Sequence, residues 1–199
     1  MKFSKLSRHL TLAAAAAALA CPLVSSARNR KSTAELPTGK DFITAAADIN
    51  LGERELGKLA GQKGNNQAVK DFGKLMVKDH SMAESQLEQV AKRSGVVLPA
   101  EPSANFSDLK EQLSKESGTK FDQAYVQHML SGHKQAIATF ENEIDRGQDA
   151  AFKAYAESML PTIQDHIRIA EDIDGKMGLS GKSGLEMPNK AISAPAEPR

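Results

Sequence analysis

The sequence predicts an all-α protein: an antiparallel four-helix bundle with one long crossover that carries a short helix. Three observations predict it. Apolar residues recur with a period near 3.6 in four long stretches, and no stretch alternates apolar and polar residues as a half-buried strand would. Aromatic residues make up 5% of the 199 residues and Trp is absent, while helix-forming Ala, Leu, Lys, Glu and Gln are frequent. Pro is confined mostly to the ends of the chain, which leaves the long stretches free to be helical.

The first 27 residues stand apart from the fold. Lys2, Lys5 and Arg8 form a basic start, and Leu10 to Val24 is an uncharged apolar run interrupted by Pro22. Ser25, Ser26 and Ala27 supply the small residues of a cleavage site, so a secretory signal removed after Ala27 is expected. The run is shorter than the roughly 20 residues a spanning helix needs. Ala18-Leu19-Ala20 before Cys21 has the branched and small residues in the wrong order for lipidation of that cysteine. Cleavage leaves a chain with no thiol and no transmembrane segment, and shifts the net charge from +1 to −2. The expected location is the periplasm or the medium, with the outer membrane as a place of peripheral association.

Residues 28–39 are a polar lead and residues 178–199 a Gly- and Pro-punctuated tail of disordered composition, leaving 40–177 for the bundle. The first helix is predicted over Asp41–Gln62, with Phe42, Ile49, Leu56 and Leu59 on one stripe. Gly64-Asn65-Asn66 ends it and caps the second, Gln67–Arg93, whose stripe is Val69, Phe72, Met76, Ala83, Leu87 and Val90. Gly95 stops that helix. A linker through Pro99 and Pro102 leads to a short helix over Phe106–Lys115. Thr119-Lys120-Phe121-Asp122 reads as a capping box opening the third long helix, which runs to Arg146. The fourth follows Asp149 and reaches Lys176, broken or kinked at Pro161, which lacks an N–H and frees the Glu157 carbonyl. Two short connections and one long one are the connectivity of ferritin-like bundles. Ala68-x-Lys70-x-Phe72-x-x-x-Met76 is echoed by Ala151-x-Lys153-x-Tyr155-x-x-x-Met159, and both stretches reach an Asp-His pair, which suggests duplication.

Polar residues on apolar stripes cost free energy unless a partner compensates them. Each long helix carries one: Glu53, His80, His133 and His166. Counted from the turns, Glu53 and His80 differ in height by about 6 Å, and His133 and His166 by about 4–5 Å, at a rise of about 1.5 Å per residue. Convergence near mid-bundle would make a site for iron, zinc, copper or manganese. A histidine on a bundle stripe serves equally as a hydrogen-bonded core residue, and the stripes alone do not separate the two roles. His128 falls at the edge of the interface. Asp79 and Asp165 lie about 100° round from the histidines that follow them and are expected in solvent. Glu84 and Glu141 read as surface charges, with extra ligands or hydrogen-bond acceptors for the histidines as their other role.

Glu53-x-x-x-Gly57-x-x-Ala60, Met76-x-x-Asp79-His80, Ser117-Gly118-x-x-Phe121-Asp122-x-Ala124-Tyr125 with His133, and Leu160-Pro161-x-x-x-x-His166 together resemble the bacterial family named domain of unknown function 4142. The resemblance covers about residues 40–175. It implies an exported ferritin-like bundle of the kind labelled "predicted outer membrane protein", and it supplies no activity. The Glu-x-x-His pairs of di-iron bundles are missing, since Val77, Leu130 and Ile163 stand three before the histidines. A carboxylate-bridged oxidase is therefore disfavoured, and a non-enzymatic role is favoured.

Other chemistries lack their motifs: there is no phosphate-binding Gly-rich loop, zinc knuckle or Gly-x-Ser-x-Gly elbow. Basic residues are interspersed with acids and not clustered, which argues against nucleic acid as the partner. Two functional expectations remain. One is a bundle that binds a transition metal in metal handling or stress protection. The other is a metal-free envelope protein that docks a protein partner.

Overall fold

The computed structural model describes residues 36–178; the predicted signal, Cys21 and nearly all of the predicted lead and tail lie outside them. Five helices follow one another: α1 (Gly39–Lys63), α2 (Gln67–Ser94), α3 (Ala104–Lys115), α4 (Gly118–Arg146) and α5 (Ala150–Lys176). There is no strand among the described residues.

Each predicted helix is present, with ends shifted by two residues or fewer. Asn66 caps α2 by accepting from the Ala68 N–H at 2.8 Å, and Asp149 caps α5 by accepting from Ala151 and Phe152. Gly95 closes α2 in the left-handed region at φ +65, where its N–H reaches the Ala91 carbonyl. One local expectation fails and another is narrowed. The Thr119 capping box does not form, because α4 opens one residue earlier with Ser117 as its N-cap and no side-chain cap bond. Asp122 instead reaches across to accept from the Asn65 and Asn66 N–H groups, each at 2.8 Å, and so tethers the α1–α2 turn to the start of α4. Of the break or kink expected at Pro161, the break is absent: α5 continues through the proline.

The helix ends define the topology. The start of α4 meets the end of α1 through Asp122. Near the end of α4, Glu143 accepts from the Gly39 N–H at 2.7 Å, at the start of α1. Hence α1 and α4 are antiparallel, as are the two tight hairpins α1–α2 and α4–α5, and α2 packs beside α5. The crossover therefore returns the chain along the whole bundle, and α3 makes the climb beside α1. Successive contacts Asp48–Ser103, Glu55–Lys110 and Lys63–Ser114 mark its parallel course.

The core is two apolar clusters stacked along the bundle axis. One holds Phe42, Ile49, Leu87, Phe140, Phe152 and Ile163, and the other Leu56, Phe72, Met76, Phe121, Met129 and Ile173. On α2, α4 and α5 the chain passes from one cluster to the other through His80, His133 and His166. The histidines thus form a belt at mid-height, sealed above and below by hydrocarbon.

Candidate metal centre

The three histidines are 5%, 2% and 2% exposed, so their nitrogens must find partners inside the protein. His133 Nδ1 lies 2.9 Å from the Met129 carbonyl, four residues back on its own helix. A carbonyl only accepts, so Nδ1 carries the proton and Nε2 the lone pair. His166 Nε2 lies 3.0 Å from Asp79 Oδ2, which places the proton on Nε2 and leaves Nδ1 with a lone pair. His80 Nδ1 lies 3.1 Å from Asn50 Oδ1. Asn50 is oriented in turn: its amide donates to the Tyr155 hydroxyl at 3.2 Å, and that hydroxyl donates to the Ala83 carbonyl. With the amide so fixed, His80 Nδ1 donates, and its Nε2 has a lone pair and no partner.

Every outward-facing ring N–H is therefore held by a fixed acceptor: a carbonyl, a carboxylate or an oriented amide. One nitrogen of each ring lies within 4.8 Å of the other two. His133 Nε2 and His166 Nδ1 face each other at 3.2 Å, two lone pairs that need a proton or a cation between them. Burial pushes His80 down to about 3 and His133 down to about 4, against the pull of the Glu53 charge. Both are neutral imidazoles at neutral pH, the form that ligates metals. A cavity of about 20 Å³ adjoins His80 and His166, lined also by Met159 and Thr162. That is room for about one water.

The four residues read from the stripes do not all meet. The close group contains the three histidines and not Glu53. Glu53 is 3% exposed and stands beside His128, with Oε1 3.7 Å from His128 Nε2. At the level of His80, α1 presents Asn50 instead. The register explains why: Gly57 and Gly73 bring α1 and α2 into backbone contact, and a Cβ on Gly57 would sit 2.6 Å from the Gly73 carbonyl. That crossing sets Asn50 opposite His80 and Glu53 one turn nearer the loop. His133 and His166 do meet despite unequal distances from their turn, because helical side chains lean toward their own N-terminus. The lean carries His133 away from the turn and His166 toward it.

Two acids were misplaced by the sequence reading. Asp79 was expected in solvent but turns into the α2–α5 seam to hold His166. Glu84 was expected as a surface charge but is 8% exposed, and burial raises its carboxyl above the usual range. Asp165 and Glu141 are exposed as expected. Asn50 and Tyr155 were missed; an Asn one residue after Ile49 on the stripe was the available signal for the first.

A sequence profile described as "Domain of unknown function (DUF4142)" matches residues 24–173. No curated protein sequence matches the chain. Among solved structures, a DUF305 fragment from Deinococcus radiodurans is similar at a TM-score of 0.59 and 14% identity, covering 70% of this chain and 99% of that one. At that identity the likeness shows a shared fold. Among the described residues no helix is long and apolar enough to cross a membrane.

Proposed function

Because the chain belongs to the DUF4142 family, whose description names no activity, we propose a function from the site itself: the bundle binds one divalent transition-metal ion through His80, His133 and His166. The ion sits against His80 Nε2, His133 Nε2 and His166 Nδ1, and the adjoining cavity supplies a water as a further ligand. Three imidazoles with an open position suit zinc, copper or iron over calcium or magnesium. Asp79, Met129 and Asn50 hold the far nitrogens, the arrangement that fixes ring orientation and tautomer in metal sites.

The observation that carries this reading is the unpartnered Nε2 of His80. A proton shared by His133 and His166, balanced by Asp79, would satisfy those two rings and make the belt a purely structural element. It would still leave the buried His80 lone pair without a partner from the protein. An ion satisfies all three.

The biological setting proposed for this site is metal handling or stress protection outside the cytoplasm, supported by the basic start and apolar run of residues 1–27. The test is metal content by mass spectrometry on tag-free protein purified without chelators, followed by melting with added Fe, Zn, Cu or Mn. One more metal ion per chain in the native protein than in a His80→Ala/His166→Ala variant is the expected result. No bound metal would leave a metal-free envelope protein, and equal binding by the variant would place the metal away from the three imidazoles.

A further inference from the structure

Glu53 is a carboxylate buried beside the histidine belt that nothing in the three-imidazole site uses. Its Oε2 has no hydrogen-bond partner, and neither has the Nε2 of His128 on α4. The gap between Glu53 Oε1 and His128 Nε2, 3.7 Å, is too long for a hydrogen bond. It falls within the separation of two ligands sharing one ion, which at bond lengths of about 2.0–2.1 Å is roughly 3–4 Å. Space is kept for it: Gly132 faces the gap, and a Cβ there would lie 3.4 Å from Glu53 Oε1 and 3.6 Å from His128 Nε2. Phe106 of α3 roofs the place, its ring edge-on to His128 and packed directly over Gly52.

Electrostatics points the same way. Burial would raise the Glu53 carboxyl, but His128 beside it, with His133 and His80 beyond, brings it down to about 2.

We propose that Glu53 and His128 form a second, outer seat for a divalent transition-metal ion, between α1 and α4 and beneath Phe106. Carboxylate plus imidazole, with water in the remaining positions, takes zinc, iron or manganese. His128 is 16% exposed at its side chain, while its Nε2 and Glu53 Oε2 are buried. This seat goes beyond the three-imidazole site and uses none of its ligands.

The test is zinc stoichiometry by equilibrium dialysis over a graded series of free Zn²⁺. The native chain is expected to bind two zinc ions. Glu53→Gln, which keeps the side-chain shape, and His128→Gln are each expected to bind one, with melting curves showing that both fold. His80→Ala/His166→Ala is expected to keep one, now at the outer seat. If Glu53→Gln and His128→Gln bind as much zinc as the native chain, the outer seat is overturned and the three-imidazole site stands. If only His80→Ala/His166→Ala retains its zinc, the three-imidazole site fails and the outer seat stands. A native chain that binds none overturns both.

Discussion

At the scale of single residues, the site depends on where protons are held. Asp79 keeps the His166 proton on Nε2 and so aims the Nδ1 lone pair inward. Asp79→Asn removes the anion while keeping the shape. It is expected to lower zinc affinity by about 10–100-fold, the usual cost of losing such a partner, as measured by competition with a chromophoric chelator. The neutral, buried imidazoles also tie stability to pH. Their folded values lie below the ordinary 6.5, so the unfolded chain takes up protons first as the medium acidifies. Stability is then full above about pH 6.5 and falls as pH drops toward 4, by up to about 1.4 kcal/mol per unit for each ring that titrates. Glu84, raised by burial, pulls the opposite way above its ordinary value, so the net slope is shallower. Urea unfolding of metal-free protein at pH 7 and pH 5 checks this, and His80→Asn should flatten the difference.

At the scale of elements, the α1–α2 crossing decides which side chains share a height. Gly57 and Gly73 meet backbone to backbone, and a Cβ on Gly73 would lie 2.7 Å from the Gly57 carbonyl. Gly57→Ala therefore forces the helices apart and is expected to cost about 1–3 kcal/mol, read as a lower urea midpoint, and to weaken metal binding by shifting His80. Asp122→Ala frees the α1–α2 turn from α4 and should cost about 1–3 kcal/mol, since it strands two N–H groups. Here too lies the limit of what the sequence shows. The 3.6-residue stripes placed His80, His133 and His166 inward, because periodicity reports direction from the helix axis. Counting from the turn puts Glu53 about 6 Å from His80, and the search for an inward carboxylate or imidazole on each helix passes over Asn50, which the glycine contact sets opposite His80. Asp79 was misread for another reason. A helix with two neighbours buries an arc wider than one stripe, and a residue 100° from His80 faces the second neighbour, α5. The crossover's climb beside α1 was legible only as a length, because its contacts, such as Asp48 with the Ser103 N–H, are specific pairings that no composition signals.

At the scale of the whole molecule, two apolar clusters are joined through a polar belt that neither can satisfy. The belt interrupts what would otherwise be one continuous core, and a bundle of this size would lose little by filling those positions with Leu or Met, as buried ion pairs elsewhere show. An ion that binds the folded chain alone repays the interruption: at 100 times its dissociation constant it adds about 2.7 kcal/mol of stability. Chelator-treated protein should therefore melt lower than the same protein with zinc restored, and His80→Ala/His166→Ala should show a smaller difference. The most direct measurement is anomalous diffraction at the zinc edge from crystals grown with Zn²⁺. The account predicts a peak about 2.0–2.1 Å from His80 Nε2, His133 Nε2 and His166 Nδ1, inside the belt between the two clusters. A belt without density, with zinc bound only by surface side chains, would contradict it.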